Sequence, residues 1–278
     1  MGAKEVARLP RAGFISSMSI NHYLALGDSM SSDHYPTCDL RNLDAPPSHL
    51  DPAGAAALLF RNDDARWPEF RGQDLARLAP GVDFRNLTED GALIDDVRTE
   101  ELSRLGRDSV DPRVLVTLTA GGNDLLDALL AGVPLDRAVD RIVRRYTDLV
   151  DTLLEELPQA TLALTTVYDP TDGTGLLPGL SEARGRLPLE YLDHFNQHIR
   201  DTAARTPNAL LADVHERFLG HGVSVGERER WYWRYNLIEP NARGASEIRR
   251  VWWECFSNRL PPSSNASPSP AHPTQPAA

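Results

Sequence analysis

Cysteine is almost absent. Cys38 and Cys255 are the two in 278 residues, and their separation fits neither a zinc pattern nor a disulfide framework, so both read as free thiols. Positive charge is also short, with 29 Lys and Arg against 40 Asp and Glu and a formal net charge of −11. No cluster of cations interleaved with aromatics offsets that balance, which argues against nucleic acid as a partner. Long apolar runs are missing too. No stretch approaches the roughly 20 residues needed to span a bilayer. Residues 1–19 carry Lys4, Arg8 and Arg11 but no apolar segment of signal-peptide length, so a cytoplasmic location is the expectation.

What is present suffices for one core. With 41% hydrophobic residues, a chain of this length builds a single α/β domain without difficulty. Residues 1–19 are expected to be a disordered extension, with Met18 as an alternative start. Residues 259–278, rich in Pro, Ser and Ala, have the composition of a disordered tail. The domain is therefore 20–258.

Within it, strand-like and helix-like segments alternate, which predicts a mostly parallel sheet between helices. Strands are expected at 22–26, 82–86, 114–119, 161–167 and 209–213, and helices at 52–60, 95–105, 136–157, 189–204 and 245–256. In the long helix, Ala138, Ile142, Tyr146, Leu149, Leu153 and Leu157 recur every three or four residues and form a core stripe.

Ligands of open parallel sheets bind beyond the carboxyl ends of the strands. Three such ends carry chemistry. Gly27-Asp28-Ser29 follows the first strand and offers a hydroxyl nucleophile. Residues 86–92, including Gly91, follow the second, and Gly121-Gly122-Asn123-Asp124 follow the third. Glycines permit tight turns and expose backbone N–H groups, and the Asn123 amide can donate to a developing oxyanion.

These blocks, in this order and spacing, resemble the SGNH or GDSL hydrolases over nearly the whole domain. The resemblance implies a three-layer α/β/α sandwich with an approximately five-stranded, flavodoxin-like sheet. It implies Ser29 as nucleophile, with an oxyanion hole made by the Ser29 and Gly91 N–H groups and the Asn123 side chain. It also implies an ester or acyl substrate of small-molecule size, with no metal or organic cofactor. The same family carries a last block, Asp-x-x-His followed by Pro, Asn and Gly. Here Pro240, Asn241 and Gly244 fit, but Asn236 stands at the Asp position and Glu239 at the His position.

That departure bears on mechanism, because a carboxylate near 4.3 is a weaker base than an imidazole near 6.5, by about two units or roughly 3 kcal/mol. Three accounts follow from the residues. Glu239 is the base, its pKa raised by burial near Leu237, Ile238 and Trp231, with neutral Asn236 avoiding a repelling carboxylate. Alternatively a histidine from elsewhere serves: His215 after the fifth strand first, then His221 and His34. In the third, hydrolysis is lost and the pocket binds a ligand.

Asp28, Asp124 and Asp172 sit at strand ends where substrate binds, Asp172 in the acidic, glycine-rich loop 169–175, whose spacing is not that of a calcium loop. Asp33 reads as a solvated helix-start acid with the alternative of orienting His34. Trp252 and Trp253 read as core packing, and the last helix as poorly capped by Gly244 and Ala245.

Overall fold

Short runs of Val, Leu, Ala and Thr pair side by side because both faces of each can be covered by helices. In the computed structural model, which describes residues 20–45, 47–105 and 113–257, they form β1 (His22–Gly27), β2 (Asp83–Asn86), β3 (Val114–Thr119), β4 (Thr161–Thr165) and β5 (Ala209–Ala212). The sheet is entirely parallel in the order β2-β1-β3-β4-β5. The expected extension and tail lie outside the described residues.

The helices used below are α1 (His34–Arg41), α2 (Ala55–Phe60), α3 (Gly122–Leu130), α4 (Leu135–Glu156), α5 (Leu189–Arg205), α6 (Val214–Phe218) and α7 (Ala242–Ser257). Alternation along the strands divides the core. Leu24, Leu26, Val116, Leu118, Leu162 and Leu164 pack with α4 and α5, whereas Tyr23, Ala25, Leu115 and Ala163 pack with α2 and α7. The result is the expected three-layer sandwich. The stripe on α4 is buried from Ala138 to Leu153 as its spacing requires, and Leu157 is buried just past the helix end.

Several boundaries differ from the sequence expectation for identifiable reasons. β4 stops at Thr165 rather than 167 because Asn196 of α5 takes both backbone groups of Val167, at 2.8 Å each. The expected helix 95–105 is broken: one turn at Ile94–Asp96 widens into a π turn at Val97–Glu101 and tightens into a 3₁₀ turn at Leu102–Leu105. Val97 and Glu101, four residues apart, both face the interior. α7 begins three residues early because Asn241 caps it, its Oδ1 accepting the Gly244 N–H at 2.8 Å. Trp252 is core as expected, its indole donating to Thr165 Oγ1 at 2.9 Å.

A two-stranded antiparallel hairpin, β6 (Tyr232–Trp233) and β7 (Asn236–Pro240), was not anticipated and carries the last block. Among the described residues, no helix is long and apolar enough to cross a membrane. No group of three or more His, Cys, Asp or Glu among them is placed to hold a metal ion.

Candidate active site

The sheet order reverses direction at β1 and β3, and the turns leaving these two strands meet in one cleft. Gly27 starts the first turn with φ +119°, and a Cβ there would lie 1.7 Å from the Thr119 carbonyl oxygen, so only glycine lets β1 lie against β3 at this point. The Asp28 N–H then donates to Thr119 O at 3.1 Å, the Ser31 N–H to Asp28 O at 3.1 Å, and the Met30 N–H to Asp28 Oδ1 at 3.1 Å. Ser29 is thus held at the tip of a turn with every neighbouring residue bonded.

Its hydroxyl faces Glu239, which β7 brings in from the opposite side. Glu239 is 7% exposed, and its Oε2 has no hydrogen-bond partner among the described residues. Burial pushes its carboxyl up to about 8, against a smaller lowering by the Ser29 hydroxyl and with further raising by Asp28 and Asp90. Asp28 is itself pushed up to about 6, first by burial. The setting differs from the sequence expectation, since Trp231 stacks on His221 at 3.6 Å between centroids; Ile238 lines the cleft beside Glu239.

The three hydrogen-bond donors singled out from sequence are not fully spent. Among the described residues, the N–H groups of Ser29 and Gly91 make no hydrogen bond, Gly91 at φ +78° in the turn after β2. Asn123, in the first turn of α3, gives one amide hydrogen to Ala92 O at 3.0 Å and keeps the other. That bond ties the turn after β3 to the turn after β2. Asn123 lines the cleft, whereas Gly91 is exposed and is not among the residues that line it.

The remaining residues singled out from sequence are placed elsewhere. His215 turns its Nδ1 to the Val167 carbonyl at 3.1 Å and does not line the cleft. Asn236 is three residues from Glu239 on a strand, hence on the other face, and its Oδ1 accepts from the Ile238 N–H at 3.5 Å. Asp124 accepts the Ile94 N–H at 3.0 Å beneath the site. Asp172 does not reach the cleft: its carboxylate binds Gly220 N, Gly222 N and Ser224 Oγ and fastens two loops together. His221 bonds Glu229 O at 2.9 Å. His34 pairs with Asp90 rather than Asp33, which accepts the N–H groups of Ala53 and Gly54.

Sequence reading missed the walls. The cleft is open to solvent, and beyond Ser29 it is lined by Leu126, Leu129, Leu177, Leu180, Leu187 and Leu192 among others. Among the described residues its lining contains Asp28, Asp169 and Glu239 but no Lys, Arg or His. Polar groups along the walls are occupied: Tyr168 OH donates to Ile238 O, Tyr191 OH to Asp136, and Asp169 accepts from Thr171 and Gly173. The available signal was the leucine content of 176–192, unusual for a loop region.

A family model described as the GDSL-like Lipase/Acylhydrolase family matches residues 25–246. No curated protein matches the chain in sequence. Among solved structures, a protein from Parabacteroides merdae ATCC 43184 described as a GDSL-like lipase superposes with TM-score 0.58 at 16% identity, over 87% of this chain and 98% of that one. An extracellular lipase from Streptomyces rimosus gives 0.54 at 19%, over 84% and 99%. Phospholipase A1 from Streptomyces albidoflavus NA297 gives 0.52 at 20%, over 87% and 100%.

Proposed function

This chain belongs to the GDSL-like lipase/acylhydrolase family, and on that premise we propose that it cleaves uncharged esters with a hydrocarbon acyl chain through a Ser29 acyl-enzyme, with Glu239 as the base. The observation that carries the reading is the buried Glu239 carboxyl facing the Ser29 hydroxyl, with its pKa at about 8. In this setting a carboxylate is no longer the weaker base. Its basicity passes that of an ordinary imidazole near 6.5, and about one molecule in ten is ionised at pH 7.

The steps follow from the placement. Ser29 Oγ attacks the ester carbonyl as Glu239 takes its proton, and the oxyanion is met by the Ser29 and Gly91 N–H groups and the free Asn123 amide hydrogen. Glu239 returns the proton to the departing alkoxide. Water or another alcohol, deprotonated by Glu239, then attacks the acyl-enzyme and frees Ser29. Asn123→Ala is expected to lower kcat by about 10²- to 10³-fold with KM little changed, the usual effect of removing one oxyanion donor. Steady-state kinetics on a soluble ester checks this.

The leucine walls and the lack of cations support the substrate class. Few polar groups on the walls face a sugar's hydroxyls against the many leucines, and the nearby carboxyls disfavour an anionic ester. A buried methylene contributes about 0.8 kcal/mol, so kcat/KM should rise by up to fourfold per methylene from butanoate to octanoate esters. A flat profile, or a preference for acetate, removes this substrate class.

The primary test is labelling with a fluorophosphonate followed by peptide mass spectrometry. The adduct is expected on Ser29. No adduct at any pH from 6 to 10 would leave a ligand-binding protein on the same fold as the better reading.

A further inference from the structure

The last N–H of β1 before the serine turn belongs to Gly27; β3 pairs with this residue on one side, but on the β2 side no strand carbonyl accepts the N–H. β2 ends at Asn86, opposite Ala25. Past that point the chain donates Leu87 N to Ala25 O and Glu89 N to Gly27 O, each at 2.9 Å. In a regular parallel ladder the Gly27 N–H would answer with a bond to a backbone carbonyl of the neighbouring chain. It bonds instead to Glu101 Oε2, at 2.8 Å.

Glu101 has no obvious packing reason to be a carboxyl. It is 1% exposed and shares its short helical stretch with buried Val97, Leu102 and Leu105. Its Oε1 has no hydrogen-bond partner among the described residues, an arrangement that costs stability for a buried polar group. Burial pushes its carboxyl up to about 8, so at neutral pH it is largely the uncharged acid. An apolar side chain would avoid these costs, and what the carboxyl adds is an acceptor for Gly27.

That acceptor completes a clamp. On the β3 side the next N–H, from Asp28, donates to Thr119 O at 3.1 Å. Glu101 holds the opposite side, and the two bonds together fix the peptide that leads into Ser29. Residues 97 and 101, one turn apart, share the buried face of this stretch, which carries the Glu101 side chain to the Gly27 N–H.

We propose that Glu101 is a positioning residue for Ser29: its carboxyl replaces the strand carbonyl that β2 is too short to supply, and so sets the direction in which the serine turn leaves β1. The proposal rests on Ser29 being the nucleophile. It adds that nucleophile alignment depends on a side chain more than 70 positions away that does not line the cleft.

The test compares Glu101→Gln, which keeps an acceptor oxygen, with Glu101→Met, which keeps length and burial without one. Glu101→Leu is a second apolar variant in case the first does not fold. Each is measured for the rate of fluorophosphonate labelling at Ser29, for kcat and KM on an octanoate ester, and for cooperative thermal unfolding. Because misplacement by about 1 Å costs on the order of 10²-fold in rate, the Met and Leu variants should lose about 10- to 100-fold in kcat and labelling rate, with KM within about threefold. Glu101→Gln should stay within about threefold of the parent in all of them. Parent-like kcat in a folded apolar variant, or equal losses in Gln and Met, would overturn the proposal. Failure of the parent itself to label at Ser29 marks the nucleophile reading as the one at fault.

Discussion

Glu239→Gln is expected to lower kcat/KM by about 10³- to 10⁴-fold, because it removes the proton acceptor while preserving shape and burial. In the parent, kcat/KM should rise about tenfold per pH unit below pH 8 and level off above it, since the ionised carboxyl is the active form and its pKa lies at about 8. The variant should lose this dependence. His215→Ala should retain it, because His215 does not line the cleft and its ring is bonded to the Val167 carbonyl. A parent profile with its midpoint near 4 to 5, or one that Glu239→Gln leaves unchanged, would remove Glu239 from the mechanism.

The same carboxyl sets a pH dependence of stability with the opposite sign. Glu239 has a folded-state value of about 8 against an ordinary 4.5, so between these limits the folded protein binds the extra proton. Stability is therefore greatest below pH 4.5 as far as this group is concerned, and falls by about 1.4 kcal/mol per pH unit until the pH passes 8. Glu101, shifted upward in the same way, adds to the slope. Urea unfolding of the parent and Glu239→Gln across pH 5 to 9 should show the variant with a shallower decline. The site becomes more active as the fold that holds it becomes less stable.

Ser29→Ala is the second large effect. Activity should fall by at least about 10⁴-fold, to the residue left by binding and oxyanion contacts, and fluorophosphonate labelling should disappear. Folding should survive, because the turn is held by Asp28, Met30, Ser31 and Thr119 and the Ser29 side chain bonds none of them. The double variant with Glu239→Gln should be scarcely worse than Ser29→Ala alone, since a base without its nucleophile has nothing to deprotonate. Additive losses would separate the two residues. The substitution also removes the one neighbour that lowers the Glu239 pKa, so that carboxyl should titrate higher still in the variant.

Much of this was legible in the chain. β3 spans the six residues its β-branched pattern marks, and α4 follows its apolar stripe to within a residue at each end. Gly27, Ser29, Gly91 and Asn123 were placed at strand ends by position alone, because strand ends and glycine turns are local properties. The distance from Ser29 to Glu239 along the chain carries no such information. Nor did sequence show that Asp172 joins two loops, that Asp90 rather than Asp33 holds His34, or that Asn241 caps α7.

The sequence by itself determined the layered fold, the serine turn and the absence of the expected histidine, since each follows from short-range pattern or from the identity of one residue. The tertiary structure decided the setting of the carboxyl that stands in that histidine's place. A carboxyl acquires a pKa of about 8 only through the groups that exclude water from it and the charges that crowd it, and for Glu239 these come from the β1 turn, the loop after β2 and β7. Glu101 is the same lesson away from the cleft: a helical residue in the chain becomes the acceptor that β2 lacks only when the fold lays it against Gly27.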